Sequence, residues 1–500
     1  MNDQLFIGID SGTQGCKVVV FSRKFARVLA EASSPHTLME NERGGREQDP
    51  AVWISALESA LTKALSAVDS SAVRAISVSA QQHGFVPLDV DGNVIRPAKL
   101  WCDTETVAQC RTITATLGGE EAAIATLGNG IAAGFTASKI LWLKEHEPEN
   151  YQRLRTILLP HDYLNYWLSG NCWMEHGDAS GTALYDVRSR GWSNAALRAI
   201  DRDSDLAAML PLLREADQPG GTLRAELAAR WGLPKSVLIA SGGGDNMMAA
   251  IGTGNVGDGV VTASLGTSGT IYGFSSSPVI DPGGELAAFC SSSGGWLPLV
   301  CTMNVTVATE LVRELFKLSL DDFNAAVSSA PPGCGGILLL PFFNGERTPA
   351  LPGATATLHG MTATNFTRAN ICRAAMEGVT LGLRYGAEVL ERNGLQPREI
   401  RLVGGGAKSA VWRQLVADIF GRPVVSPVIT EAGALGAALQ AIWCYCTNMG
   451  EKVKIEEICG SYVQLDPDSR CRPDPARMQK YTDIYHNYLR LENQLRPLNS

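Results

Sequence analysis

Apolar residues open the chain in strand-length blocks: Leu5 to Ile9, Lys17 to Phe21 and Arg27 to Ala32 predict three successive strands. The period then changes. Asp49-Pro50 offers a helix cap with proline at the first helical position, and Trp53, Leu57, Ala60, Leu61 and Ala64 form the apolar stripe of the helix that follows. Val73 to Val78 predicts a strand that ends in Gln81-Gln82-His83-Gly84. Phe85 to Leu88, the Asp91-Gly92 turn and Val94 to Trp101 predict an antiparallel excursion. Helices are expected over 104–117, 138–146 and 161–168, and the strand Val237 to Ala240 enters Gly242-Gly243-Gly244-Asp245-Asn246. The second half repeats this plan. Strands flank Gly266, a buried strand lies at Ile337 to Pro341, and a helix covers 370–391; the strand Ile400 to Val403 enters Gly404-Gly405-Gly406, and helices cover 409–420 and 432–444. Near the end Met478, Tyr481, Tyr485, Tyr488 and Leu491 keep helical spacing, a stripe expected to pack on the body of the protein rather than on a second subunit.

The repeat is sharpest in two turns, Gly12-Thr13-Gln14-Gly15 after the first strand and Gly266-Thr267-Ser268-Gly269 after Val260 to Leu265. Strand-forming residues on both sides make each a tight hairpin. Glycines there are expected to supply positive φ and converging amide N–H groups for an anion, with the threonine hydroxyl as a further donor. Two such turns, half a chain apart, suggest two related halves facing one polyphosphate. A chain of 500 residues exceeds a single core, so two domains are expected, 1–242 and 243–500.

Composition narrows the partners. A formal charge of −8 argues against nucleic acid or an anionic membrane, which require a basic footprint. The twelve cysteines are scattered without zinc spacing, which favours reduced, mostly buried thiols in a cytoplasm. The opening Met-Asn-Asp-Gln lacks a basic leader, and no apolar stretch is long enough to span a bilayer.

Several residues can carry chemistry. Asp10, at the end of the first strand, would sit beside phosphates, where a carboxylate is useful only with a cation; a magnesium ion held by phosphate oxygens and water supplies one. The alternative is a side chain that stabilises the hairpin. Lys17 either reaches a phosphate or faces solvent. Asp245 stands at a strand-to-helix junction, as a base for an attacking hydroxyl or as an ordinary helix cap. Gly404-Gly405-Gly406-Ala407 either lets a base and ribose approach the backbone or is a bare turn. Gln81-Gln82-His83-Gly84, Trp101-Cys102-Asp103 and Asp178-Ala179-Ser180-Gly181 combine amides, imidazole, carboxylates and an aromatic face, a set suited to a polyhydroxylated ligand. Taken singly, each is more often a satisfied loop residue.

Gly8-Ile9-Asp10-Ser11-Gly12-Thr13, Gly243-Gly244-Asp245-Asn246, Ser264-Leu265-Gly266-Thr267-Ser268-Gly269, Gly345-Glu346-Arg347-Thr348-Pro349 and Gly404-Gly405-Gly406-Ala407, in this order, resemble the motifs of the FGGY carbohydrate kinase family. Gln82-His83-Gly84, Gly134 to Lys139 and Asp162-Tyr163-Leu164 are most similar to its xylulokinase branch. The resemblance implies an α/β fold with two ribonuclease H-like domains of the actin, Hsp70 and sugar kinase type and a central cleft for ATP and sugar. It implies Asp245 as catalytic base, Asp10 as the residue placing Mg2+, and Gly12, Thr13, Lys17, Gly266 and Thr267 at the phosphates, with Gly405 and Gly406 near the adenosine. Gln82, His83, Trp101, Asp103, Asp245 and Asn246 would contact the sugar, D-xylulose. Relatives are often homodimers. Two positions depart from the pattern: Gln82 where many bacterial relatives carry methionine, and Glu105 where an arginine often follows Trp-x-Asp.

Other acceptors, such as L-ribulose, L-xylulose, gluconate or a tetrulose, stay open because single side chains set that choice. So does a nucleotide-switched binding protein of the actin or Hsp70 kind, which predicts slow ATP turnover independent of sugar. A sugar-sensing repressor is disfavoured by the acidic balance, and a first strand beginning at residue 5 is expected to leave no room for an N-terminal DNA-binding domain.

Overall fold

The three opening strands form as Leu5–Ser11, Gly15–Ser22 and Arg27–Pro35 in a computed structural model that describes residues 3–499. Leu5–Ser11 pairs antiparallel with Gly15–Ser22, which pairs antiparallel with Arg27–Pro35. On its other side Leu5–Ser11 pairs parallel with Val73–Ala80, which pairs parallel with Leu238–Ala240 and, further along, with Gly243–Gly244. Pro219–Thr222 closes the far edge, antiparallel to Leu238–Ala240. The Pro50–Leu65 helix lies across the hairpin strands. Asp49 caps it, accepting the Ala51 N–H at 2.9 Å, and Trp53, Leu57 and Leu61 are fully buried beneath it.

A second sheet repeats this order. Trp296–Thr302, Gly269–Gly273 and Val260–Leu265 are antiparallel neighbours, and Val260–Leu265 then pairs parallel with Glu399–Val403, which pairs parallel with Val424–Val425. Tyr481, Tyr485, Tyr488 and Leu491 of the closing Pro475–Asn499 helix are buried, as their spacing predicts. The Tyr481 hydroxyl donates to Glu377 at 2.6 Å and accepts from Arg373 at 2.7 Å, which ties this helix to the long Arg368–Arg392 helix.

The chain divides into two units, but not at residue 242. The first runs up to Gly257 and regains Ser275–Leu297 and Glu431–Val463; the second holds Asp258–Phe274, Pro298–Thr430 and the chain from Gln464 on. The reason for the late return is steric. The Ala432–Asn448 helix is apolar on nearly every side and packs on Leu5–Ser11, Val73–Ala80 and the Asp245–Gly252 helix. A β-carbon at Gly8 would overlap the Ala434 carbonyl oxygen, one at Gly252 the Ala432 carbonyl, and one at Gly436 the Met248 carbonyl. Backbone meets backbone at all three points, so no side chain fits. No helix among the described residues is long and apolar enough to cross a membrane.

Gly8→Ala is expected to lower stability by about 3 kcal/mol, because only backbone can yield to the added methyl. Gly191→Ala, where a β-carbon meets nothing within 4 Å, should stay within about 0.5 kcal/mol of the parent. Denaturant unfolding of the two variants provides the comparison.

Candidate active site

Register decides what meets at the first unit's sheet. Asp10 lies beside Ser79 and Ser11 beside Ala80, while Gly243 and Gly244 flank the same two residues from the opposite side. The carboxyl ends of three parallel strands therefore deliver Gly12, Gln82-His83 and Asp245 to one edge. Ligand sites of open α/β sheets form at such edges, where the chain leaves the sheet and its polar groups are unspent.

Asp245 is the first residue of its helix, with Gly244 at the cap position and no side-chain cap, so it is not the capping aspartate that the sequence left open. Its Oδ1 accepts the Asn246 backbone N–H at 2.8 Å and Asn246 Nδ2 at 3.0 Å. Burial above all, with the carboxylates of Asp10 and Asp178 adding to it, pushes Asp245 up to about 7. Asp10 is raised too, again chiefly by burial, against the Ser79 hydroxyl that donates to it at 2.7 Å and the positive charge of Lys17. Lys17 itself pairs with Glu431. Two carboxylates that both resist ionisation make an edge suited to a cation.

The Gly12-Thr13 turn has a different logic from the one expected. Neither hairpin turn places a glycine at positive φ. Close packing demands the glycines instead: a β-carbon at Gly15 would lie 2.8 Å from the Ser34 carbonyl oxygen, and one at Gly269 would lie 2.7 Å from Val305 Cγ2. Gly12 faces nothing nearer than 3.8 Å. The Thr13 hydroxyl donates to Gln81 at 3.1 Å and accepts from Trp101 Nε1 at 3.0 Å. Its one proton is therefore used within the protein, and what it fixes is the indole of Trp101.

His83 sits at φ 64°, a conformation that costs a non-glycine residue energy. Its carbonyl accepts from Lys139 Nζ at 2.6 Å and from Thr136 at 3.1 Å, and its ring packs against Phe135 and Phe289. Lys139 also donates to the Gly134 carbonyl at 2.6 Å; burial lowers this amine to about 7. Asp103, also expected at the sugar, has its carboxylate engaged within the protein. It is fully buried and accepts from the Arg46 N–H at 2.9 Å and Lys99 Nζ at 3.2 Å, while Glu47 and Glu105 hold the same ammonium at 3.0 and 2.7 Å. These three carboxylates are spaced for a metal, but Lys99 already supplies their cation. Glu105, at the position where an arginine was expected, belongs to this cluster.

Behind the edge, sequence reading missed Gln440 and the pairing of Asp162 and Asp178 with His161. Gln440, a buried amide within the apolar part of the Ala432–Asn448 helix, accepts from Ser77 at 2.6 Å and from the Gly242 N–H at 3.0 Å, and donates to the Gly242 carbonyl at 3.0 Å. It thereby sets the backbone that leads to Asp245. The signal was the single polar residue in an otherwise apolar stretch. His161, Asp162, Asp178 and Glu175 form a fully buried cluster. His161 Nδ1 lies 2.6 Å from Asp178 and Nε2 lies 2.9 Å from Asp162. Burial works against the imidazolium, but the two carboxylates raise it to about 10, and burial pushes Glu175 up to about 7.

In the second unit Gly266 and Gly405-Gly406 are neighbours, because the strands before them are parallel with Ser264 beside Val403. A β-carbon at Gly406 would lie 2.8 Å from Leu265 Cβ, whereas one at Gly405 meets nothing within 4 Å. The carbonyls of Gly266 and Thr267 accept the N–H groups of Thr306 and Val305 at 2.9 and 3.0 Å, which holds the turn still. Glu346 of the Gly345–Pro349 motif accepts the Met303 and Arg347 N–H groups at 2.7 and 2.8 Å, so that motif braces the loop after Trp296–Thr302.

Two family models match the chain: the N-terminal domain of the FGGY family of carbohydrate kinases over residues 5–252, and its C-terminal domain over 261–445. The chain is similar to the xylulose kinase of Haemophilus influenzae, 42% identical over 98% of this chain and 100% of the relative. It is also similar to the xylulose kinase of Escherichia coli, 34% identical over 99% and 100%. The crystal structure of xylulose kinase from Bifidobacterium adolescentis matches with a TM-score of 0.82 at 31% identity, covering 96% of this chain and 99% of that one. Xylulose kinase from Rhodospirillum rubrum matches with a TM-score of 0.89 at 26% identity, covering 99% of each.

His161→Gln removes the cation between two buried carboxylates and is expected to cost about 3–5 kcal/mol at pH 7. The imidazole holds its proton more tightly folded than unfolded. Its stabilisation is therefore complete below about 6.5, the ordinary histidine value, and is lost as pH rises toward about 10. Denaturant unfolding from pH 6 to 10 should show this decline in the parent and not in His161→Gln.

Proposed function

Because the chain belongs to the FGGY family of carbohydrate kinases, we propose that it transfers the γ-phosphoryl group of ATP to the terminal hydroxyl of D-xylulose, giving D-xylulose 5-phosphate and ADP. The observation that carries the chemistry is Asp245 at the carboxyl edge of the parallel strands, with Oδ1 held by two N–H donors and its basicity raised by burial and by Asp10. The choice of sugar rests on full-length relatives named xylulose kinase.

In this reading the sugar binds at Gln82, His83, Trp101 and Asn246, and its O5 hydroxyl gives its proton to Asp245 Oδ2 as the oxygen attacks phosphorus. The new O5–P bond forms in line with the P–O bond to the leaving ADP. Little covalent help is needed, since positioning and charge neutralisation dominate phosphoryl transfer. The phosphates are assigned to the Gly12-Thr13 and Gly266-Thr267 turns, and the adenosine to Gly405-Gly406, where the backbone is open at Gly405.

Asp10 fits a magnesium ion held mostly by phosphate and water. Its charge is answered only by Lys17, which Glu431 already holds, and a β-carbon at Gly433 would crowd its carboxylate at 2.8 Å, so glycine keeps that face clear. When bound, the ion would neutralise charge on the transferring phosphate. All twelve cysteines are free thiols, in keeping with a cytoplasmic reaction.

ADP release with magnesium-ATP across D-xylulose, L-xylulose, L-ribulose, gluconate, glycerol and no acceptor tests the proposal. Stimulation by D-xylulose well above the others is expected, and release indifferent to every acceptor would overturn it. Asp245→Asn should lower kcat by about 10^2–10^4-fold while leaving the fold intact. A near-normal rate would remove Asp245 from its role.

A further inference from the structure

Asp245 is the first residue of its helix, and its side chain is oriented by a chain of amides that ends at Gln82. A carboxylate oxygen that takes the Asn246 backbone N–H must meet the Asn246 side chain as an acceptor as well, so that side chain presents Nδ2 to Asp245. The second hydrogen of Nδ2 then points at Gln82 at 3.0 Å, and Gln82 can receive it only through Oε1. This assignment leaves Gln82 Nε2 as a buried donor with no hydrogen-bond partner, on a side chain only 4% exposed. An orphaned donor is a standing cost, and an apolar residue of the same size would avoid it. The useful end of Gln82 is its acceptor.

The backbone is shaped around the same side chain. Gly244 has φ −67° and ψ 152°, which any residue can adopt, so conformation does not demand glycine there. Contact does: a β-carbon at Gly244 would lie 2.6 Å from Gln82 Cγ and 2.9 Å from its Cδ. Gln82 is thus pinned between the end of the Val73–Ala80 strand and the residue just before the base.

We propose that Gln82 is a positioning residue for Asp245, acting through Asn246: it holds the Asn246 amide against Oδ1 and so fixes which carboxylate oxygen is left to take the substrate proton. The role rests on the reading of Asp245 as base. It does not require Gln82 to touch the sugar. The glycine at 244 serves the same arrangement by leaving room for the Gln82 side chain.

The test is steady-state kinetics with magnesium-ATP and D-xylulose for the parent, Gln82→Met, Gly244→Ala and the double variant, with thermal unfolding of each. Gln82→Met keeps the volume and removes both the acceptor and the orphaned donor. It should lower kcat by about 10-fold to 100-fold, over and above any change in the sugar KM, the scale expected of a misplaced reacting group. Its melting temperature should not fall, whereas a residue kept for packing would lose stability. Gly244→Ala should give the same kinetic loss by displacing Gln82, and the double variant should be no worse than the weaker single one, because both act on one contact. An unchanged kcat in Gln82→Met, a loss confined to KM, or losses that multiply in the double variant would each overturn the proposal. If Gly244→Ala does not fold, Gln82→Leu takes its place as the second variant, with the same kcat loss expected and a normal kcat overturning the role. Asp245→Asn separates the two readings: an inactive Asp245→Asn beside a normal Gln82→Met removes only the coupling, and an active Asp245→Asn removes the base and the coupling together.

Discussion

The Ala432–Asn448 helix meets its neighbours through backbone rather than side chains, and the first unit's edge depends on that approach. Glycine at 8, 252 and 436 lets carbonyls and amides of the helix, the first strand and the Asp245–Gly252 helix pack at distances no side chain permits. Once seated, the helix brings Gln440 onto Ser77 and onto both backbone groups of Gly242. The turn before Asp245 is then tied to the strand that delivers Gln82. Contacts formed by residues 363 and 198 positions apart fix the geometry of a loop only a few residues long.

Around that edge the protein concentrates negative charge and partners it unevenly. Lys99 neutralises Glu47, Asp103 and Glu105 where the Trp101 loop is anchored. His161 neutralises Asp162 and Asp178 behind the Gly242 turn. Asp10 and Asp245 have no such cation of their own, since Lys17 is taken by Glu431. Buried carboxylates without a partner cation hold protons and repel one another. Edges of this kind attract a divalent cation or a proton from a substrate, and phosphoryl transfer to an alcohol uses both. The Lys99 and His161 clusters and the Asp10–Asp245 pair thus differ less in residue type than in whether a cation is built in beside them.

The second unit supplies flat, open backbone. Gly405 faces free space, and the groups around both turns are fixed, by the amides of Val305 and Thr306 at Gly266-Thr267 and by packing of Gly406 on Leu265 beside Gly405. A held loop with an uncovered backbone suits a ligand recognised by shape and by N–H donors. Repetition of one sheet order in both units shows how a single supersecondary plan is adapted twice, once to carry carboxylates and amides, once to carry glycines.

Much of this was legible in the sequence, because hairpins, caps and strand-to-helix glycine turns are local. The Gly12 and Gly266 hairpins, the Asp49 cap, the repeat of the two halves and the motif residues Asp10 and Asp245 all depend on neighbours within a few positions. What local pattern could not decide was which unit claims each segment: the Ala432–Asn448 helix reads as part of the second half, and only the fit of Gly8 and Gly436 against facing carbonyls takes it to the first. Nor could it show that Asp103 turns to Lys99, that the Thr13 hydroxyl is committed to Gln81 and Trp101, or that Gly15 and Gly269 are needed for clearance rather than for φ. Residue type and spacing determine what a side chain is able to do, since those properties travel with the local chain. Which of its atoms are already engaged is decided by partners brought near only when the sheet and its helices have packed.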